Sequence, residues 1–301
     1  MGPLDFSDRV VIVTGAGRGI GRAHALLLAA RGASVVVGDL GARTDGSGVE
    51  GDDPAVEVVA EITAAGGEAV ACNADVATEE GARALVDTAL SAFGKLTAVV
   101  NNAGIVRTAP FDEVPDEEYQ RHLDVHYFGA LRLCRAAWPH LQRADAPRVV
   151  NTVSGAMLGN PGMSHYGGSK AALFGLTRNL ALEGSAAGIK VNAIAPGAGT
   201  RMAEAAADTL DPELMEYMRT AMLPEQIAPV VAYLVHPSCE LNGEVLNVAA
   251  GRVSRLAIFK TAGIFDPGLT VETVAERLAE IVAVTPDAVE QFVAPPGPPA
   301  T

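Results

Sequence analysis

"RVVIVTGAGRGIGRAHALLLAARGASVVVGD", residues 9–39, decides the fold. "RVVIVTG" (9–15) and "ASVVVGD" (33–39) are continuous apolar runs rich in valine, the pattern of strands buried on both faces. A helix-length segment, roughly 19–32, lies between them. Strand, glycine turn, helix and second strand make the opening of a dinucleotide-binding unit. Gly15, Gly19 and Gly21 allow a tight turn, close backbone approach and close helix packing, with Arg18 and Ile20 in the same turn. The helix N-terminus then offers unpaired N–H groups to a pyrophosphate. Asp39 ends the second strand, eighteen residues after Gly21. An acid there accepts hydrogen bonds from both ribose hydroxyls and repels a 2′-phosphate, which favours NAD over NADP. Arg18 pulls the other way, because a basic residue nearby would welcome a phosphate. A plain turn aspartate before Gly41 is the alternative reading of Asp39.

The same alternation continues outward. Strand-like runs follow at "EAVACNAD" (68–75), "LTAVVNNAG" (96–104), "RVVNTVS" (148–154), "IKVNAIAPG" (189–197) and "EVLNVAAG" (244–251). Helix-length segments separate them at roughly 54–66, 78–93, 116–143, 165–186 and 202–235. This predicts an α/β protein with a doubly wound, seven-stranded parallel sheet, helices on both faces: a Rossmann fold in a single domain over 1–251. Residues 40–53, "LGARTDGSGVEGDD", read as a loop. Residues 252–301 form a C-terminal extension. Its "TVETVAERLAEIVAV" has helical periodicity, and "APPGPPAT" at the end reads as disordered.

The 301 residues are 49% hydrophobic, enough for one large core, and carry a formal net charge of −14. Such a charge repels nucleic acid and anionic lipid, so neither is expected as a partner. Cys72, Cys134 and Cys239 are scattered, with no metal or disulfide spacing, and read as reduced structural thiols. "MGPLDFSDRV" has no signal core, and the apolar runs are too broken to span a membrane. A cytoplasmic protein is expected.

Further motifs stand in a fixed order: "TGAGRGIG" (14–21), "NADV" (73–76), "NNAG" (101–104), "YGGSK" (166–170) and "APG" (195–197). Over about 250 residues the chain resembles the short-chain dehydrogenase/reductases. "VVVGDLG", "VHYFG", "AWPHL", "AIAPGAGTRM" and "HPSCELNGEVLNVAAG" look most like the (3R)-hydroxyacyl-CoA dehydrogenase domain of multifunctional β-oxidation enzymes and its actinobacterial relatives. The resemblance implies an NAD(P)-dependent alcohol/ketone oxidoreductase. It implies that Asp75 and Val76 touch the adenine and that Asn102, Ala103 and Gly104 line the cofactor cleft. Pro196, Gly197 and Thr200 would flank the nicotinamide and its phosphate. It also implies a homotetramer or dimer built on the long helices near 116–143 and 165–186, and a tail packed on the substrate loop or on a neighbouring subunit.

Tyr166 and Lys170, spaced i, i+4, share a helix face. A phenol titrates near ~10, and lowering it by ~3 units takes about 4 kcal/mol of phenolate stabilisation. The adjacent ammonium and an oxidised nicotinamide are expected to supply it in a dry cleft, making Tyr166 a general base. Lys170 would also hold the nicotinamide ribose. Ser154 would fix the substrate oxygen.

Two departures from the family pattern stand out. The serine usually lies thirteen residues before the tyrosine; that position is Val153, and Ser154 lies at twelve. A one-residue shortening in "SGAMLGN" keeps Ser154 as the catalytic serine; the rival is that no serine reaches the substrate. His126 stands where many members carry an asparagine whose backbone carbonyl serves a proton relay. The carbonyl survives the substitution, and a satisfied structural histidine is the other reading.

The substrate loops, 104–115, 154–165 and 198–222, carry Met157, Leu158, Met163, Met202, Met215, Met218 and Met222. They suggest a bulky apolar alcohol, a 3-hydroxyacyl-CoA or a hydroxysteroid. Arg107, Arg201, Arg252 and Arg255 are candidate mouth cations for CoA. The alternatives are an NADPH-dependent carbonyl or 3-oxoacyl reductase and a non-catalytic nucleotide-binding regulator.

Overall fold

The computed structural model describes residues 2–48, 53–204, 211–285 and 288–290. Seven strands run parallel: β1 (Val10–Thr14), β2 (Ser34–Gly38), β3 (Glu68–Cys72), β4 (Ala98–Asn101), β5 (Arg148–Thr152), β6 (Lys190–Gly197) and β7 (Val245–Ala249). Their order in the sheet is β3-β2-β1-β4-β5-β6-β7. The chain therefore reverses direction across the sheet between β1 and β4, and a crevice opens at the carboxyl ends there.

The pleat divides the core between the two faces. Val11 and Val13 of β1 join a cluster with Leu28 of α1 (Gly19–Ala30), Ile62 of α2 (Pro54–Ala64) and Leu234 of α9 (Ala228–Val235). Val10 and Ile12 join the opposite cluster, with Leu85 of α3 (Glu79–Phe93) and Leu133 of α5 (Gly129–Leu141). The three cysteines are buried and unpaired.

The seven predicted strands all form, and the structure adds an eighth at the sheet edge, β8 (Arg252–Leu256). It begins where the extension was expected to start. The cause is a two-residue turn with both residues at positive φ, Ala250 at 48° and Gly251 at 73°, which folds the chain back beside β7.

Two expected helices are broken. Segment 116–143 is α4 (Asp116–Leu123), one π-helical turn (Asp124–Phe128) and α5. Segment 202–235 contains α7 (Arg201–Glu204), α8 (Pro212–Ala221) and α9, with Pro212, Pro224 and Pro229 each opening a new helical piece. The uninterrupted helix that carries "YGGSK" is α6 (Ser164–Gly184).

The chain divides into two compact units, Met1–Ser254 and Arg255–Thr301. The second holds an antiparallel pair, β9 (Phe259–Lys260) with β10 (Val289–Glu290), and two short helices, α10 (Val271–Glu276) and α11 (Leu278–Val282). The helical periodicity of 270–284 thus resolves into two pieces. "APPGPPAT" lies outside the described residues.

Candidate active site

The glycine turn is shaped by what its glycines touch. Gly15 and Gly19 adopt φ of 61° and 53°. A Cβ on Gly21 would sit 2.1 Å from the Gly15 carbonyl oxygen and 2.4 Å from Asn102 Nδ2, so only glycine fits. Asn102 Nδ2 donates to the carbonyls of Thr14 (2.9 Å) and Gly15 (3.1 Å). Thr14 Oγ1 in turn accepts from the N–H groups of Asn102 and Ala103, both at 3.0 Å. The end of β4 is thereby fastened to the end of β1. Sequence reading assigned Asn102 to the cleft wall but missed Thr14, whose role appears only when the two strands are neighbours.

Asp39 sits against the same turn. Its Oδ2 accepts from Gly17 N–H and its Oδ1 from Gly41 N–H, each at 2.8 Å. Both readings of this residue are visible: it anchors a turn and presents a carboxylate beside the glycines. Asp75 Oδ1 accepts from Ala77 N–H at 2.9 Å.

One cleft of about 1660 Å³ runs from this turn to α6. Every residue read from the sequence as catalytic or cofactor-facing lines it except His126. Pro196, Gly197 and Thr200 form its wall at the end of β6, and the Thr200 methyl lies over Gly19. Among the methionines, Met163, Met202 and Met218 line the cleft. Met215 is buried, and the Met222 methyl instead lies against Gly197. Of Arg107, Arg201 and Arg252, only Arg201 lines it. Arg107 is tied to Glu118 at 3.0 Å, and Arg255 lies in the second unit. Arg43 and Arg121, which sequence reading passed over, line the cleft.

At the far end the Ser154 hydroxyl faces the Tyr166 phenol, where it favours the phenolate. Ser154 Oγ also accepts from Ala156 N–H at 3.2 Å. Val153, at the thirteen-residue spacing, is buried and donates its N–H to the Ile194 carbonyl. The serine that meets the tyrosine is Ser154.

Lys170 is 3% exposed and donates from Nζ to the Thr152 carbonyl at 2.8 Å. Burial pushes its ammonium down to about 7. The phenol is expected to fall with an oxidised nicotinamide in place; the chain by itself shows the effects that act without it. Burial raises the Tyr166 phenol, against a smaller opposing effect of the Ser154 hydrogen bond. Lys170 Nζ is 5.7 Å from the ring centroid, and the burial that lowers its ammonium weakens the charge that would lower the phenol.

His126 lies on the π-helical turn, 2% exposed, with its ring edge-on to Tyr166 at 5.4 Å between centroids. Its side chain, rather than its backbone alone, is engaged. Nε2 accepts from Ile105 N–H at 3.0 Å, and Nδ1 faces Ser169 Oγ at 2.8 Å. Ser169 was unremarked in the sequence although it stands inside "YGGSK", one turn after Tyr166.

Among the described residues, no helix is long and apolar enough to cross a membrane, and no cluster of His, Cys, Asp or Glu could hold a metal ion.

Comparison with known proteins agrees with this geometry. The family model described as short chain dehydrogenase matches residues 9–211. A Mycobacterium tuberculosis protein named as a short-chain type dehydrogenase/reductase is 47% identical over 276 residues, 91% of this chain and 94% of that one. Mouse peroxisomal multifunctional enzyme type 2 is 44% identical over 262 residues, 87% of this chain but 34% of its own length, so this chain spans about a third of that enzyme. A 7α-hydroxysteroid dehydrogenase, solved with NADH and 7-oxo glycochenodeoxycholic acid, superposes with a TM-score of 0.72 at 33% identity, covering 82% of this chain and 95% of that one. The family match and the 47% identity over nearly the whole length of both chains place it: the chain belongs to the short-chain dehydrogenase/reductase family of oxidoreductases.

Proposed function

We propose that the protein is an NAD-dependent dehydrogenase that interconverts a secondary alcohol and a ketone on a bulky apolar substrate, a 3-hydroxyacyl-CoA or a hydroxysteroid. The observation that carries this reading is Ser154 facing Tyr166 beside buried Lys170, all three lining a cleft that begins at Gly15 and Asp39.

The residues fit a dinucleotide. Gly15 and Gly21 let the turn close against its neighbours, and Gly19, with only Thr200 near it, leaves the backbone open for a pyrophosphate. The Asp39 carboxylate would receive the ribose hydroxyls, and Asp75 and Val76 would border the adenine. Asn102, Ala103, Gly104, Pro196, Gly197 and Thr200 would hold the nicotinamide end. When bound, the nicotinamide supplies a hydride acceptor and a positive charge. Ser154 orients the substrate hydroxyl toward Tyr166. Tyr166 takes the hydroxyl proton at its phenolic oxygen during oxidation and returns it during reduction. Lys170 lowers the cost of the phenolate and, with its second donor direction, binds the nicotinamide ribose.

Arg201, Arg43 and Arg121, the last bridged to Glu118 at 3.7 Å, line the cleft where an anionic CoA would meet a net charge of −14. An apolar steroid alcohol would need none of them. The deciding experiment mixes the purified protein with NAD⁺ or NADP⁺ and a (3R)-hydroxyacyl-CoA, its (3S) isomer or a hydroxysteroid, and follows reduced cofactor. Turnover with NAD⁺ on the acyl-CoA, with a KM that rises with salt and in Arg201→Ala, identifies the CoA ester. Tight cofactor binding without turnover on any alcohol would leave a nucleotide-binding regulator.

Asp39→Ala is expected to lower kcat/KM for NAD⁺ by about 10- to 100-fold, the worth of a lost charge-assisted hydrogen bond, and to leave NADP⁺ unchanged or improved. The two cofactors are compared at a fixed substrate level. Equal losses with both would show that Asp39 only anchors its turn through Gly17 and Gly41.

A further inference from the structure

The loop after β2 does not stay beside its own strand. It leaves Asp39, and the Thr44 carbonyl accepts from Val106 N–H at 2.9 Å, in the segment that follows β4. Because β2 and β4 flank β1, this strap passes over the carboxyl end of β1, where the glycine turn starts. Ala42, Arg43, Thr44 and Gly46 line the same cleft as Ile105 and Val106. Gly46 has a φ of 78°, and a Cβ there would lie 3.1 Å from Ile105 Cγ2, so strap and segment meet closely.

The neighbouring amide points the other way. Ile105 N–H donates to His126 Nε2, so Nε2 is the unprotonated nitrogen and the proton sits on Nδ1. Nδ1–H then donates to Ser169 Oγ at 2.8 Å. Ser169, its lone pair taken, donates to the Tyr166 carbonyl at 2.7 Å. Each hydrogen has one direction open to it. The path therefore runs Thr44–Val106, Ile105–His126, His126–Ser169, Ser169–Tyr166 without a break.

We propose that His126 and Ser169 are positioning residues which tie the catalytic tyrosine to the strap over the cofactor cleft, so that filling the cleft beneath the strap fixes Tyr166. The proposal rests on the dehydrogenase reading above and adds a role for the His126 side chain. Ile105 and Val106 are the junction: one amide senses the strap and the next holds the histidine. Burial, and then the Lys170 charge, hold the imidazole well below its usual range, so it stays a neutral acceptor at working pH.

The test follows backbone hydrogen exchange with and without NADH in the wild type, His126→Phe, Ser169→Ala and the double variant. NADH is expected to slow exchange at 43–46 and 105–106 equally in all four proteins, and at 164–170 much more in the wild type than in the variants, which keep only the direct contact of Lys170 with the cofactor. Each single variant is expected to lose about tenfold in kcat with little change in KM for NAD⁺, and the double variant no more than either, because all cut one path. The acid limb of the kcat profile should move to higher pH in each, since a displaced phenolate is less stabilised. Protection at 164–170 that is as large in the variants as in the wild type overturns the coupling, as does a double variant that loses about 100-fold. So does a drop in melting temperature with the acid limb unmoved. If NADH fails to protect the wild type anywhere, the cofactor reading falls and takes the coupling with it.

Discussion

Tyr166→Phe abolishes turnover, lowering kcat by about 10³-fold or more, the upper part of the range for a lost general base acting with its oriented partners. Its affinity for NADH stays within about threefold of wild type, because the hydroxyl is expected to contribute little to ground-state binding. The substitution is clean. The phenyl ring keeps its edge-on contact with His126 at 5.4 Å. Lys170 keeps its bond to the Thr152 carbonyl. Only the hydroxyl that meets Ser154 is removed. Single-turnover kinetics beside a fluorescence titration separates the two quantities. Residual turnover above a tenth of wild type would mean that another group, with Lys170 the nearest, takes the proton.

Lys170→Met should remove turnover as thoroughly, yet stabilise the fold. The folded chain holds the ammonium at about 7 against 10.5 in the open, because burial disfavours its charge. Replacing a buried charge by an apolar side chain of similar length is worth about 1–3 kcal/mol. The sign with pH follows from proton linkage. Below pH 7 both states carry the proton and the folded one bears the full penalty. Between about 7 and 10.5 the folded chain has lost the proton that the unfolded chain keeps, so wild-type stability rises with pH in that window. The advantage of the methionine variant is therefore largest at pH 6 and shrinks toward pH 9. There the unpaired Thr152 carbonyl begins to count against the variant. Denaturant melts at the two pH values decide it; a gap that is absent at pH 6, or that ignores pH, would mean the lysine is better solvated than its burial indicates.

Much of this was legible in the sequence because it depends on local pattern. Valine runs of strand length located the seven parallel strands, and the glycines declared a turn that no other residue could make. Ser154 was reached against the usual spacing, which falls on Val153, by reading the loop after β5 as one residue shorter. What escaped is long-range. Thr14 matters because β4 lands beside β1, 88 residues later. Ser169 matters because the π-helical turn aims His126 at it from 43 residues away. The eighth strand escaped because "AAGRV" carries no aspartate or asparagine to announce a tight hairpin, and Ala250 adopts positive φ without one.

The clasp of Asn102 on the glycine turn also orders events in time. As the chain leaves the ribosome, the turn at Gly15 is made early, yet its opposite wall arrives only with β4, and Tyr166 later still. Between those moments the growing chain holds half a pocket, closed by contacts that carry a large loop-closure entropy. A nucleotide has little to grip until that closure is complete. The cofactor is thus expected to be a poor template for folding and a good brake on unfolding: it grips only the assembled pocket and stabilises that state.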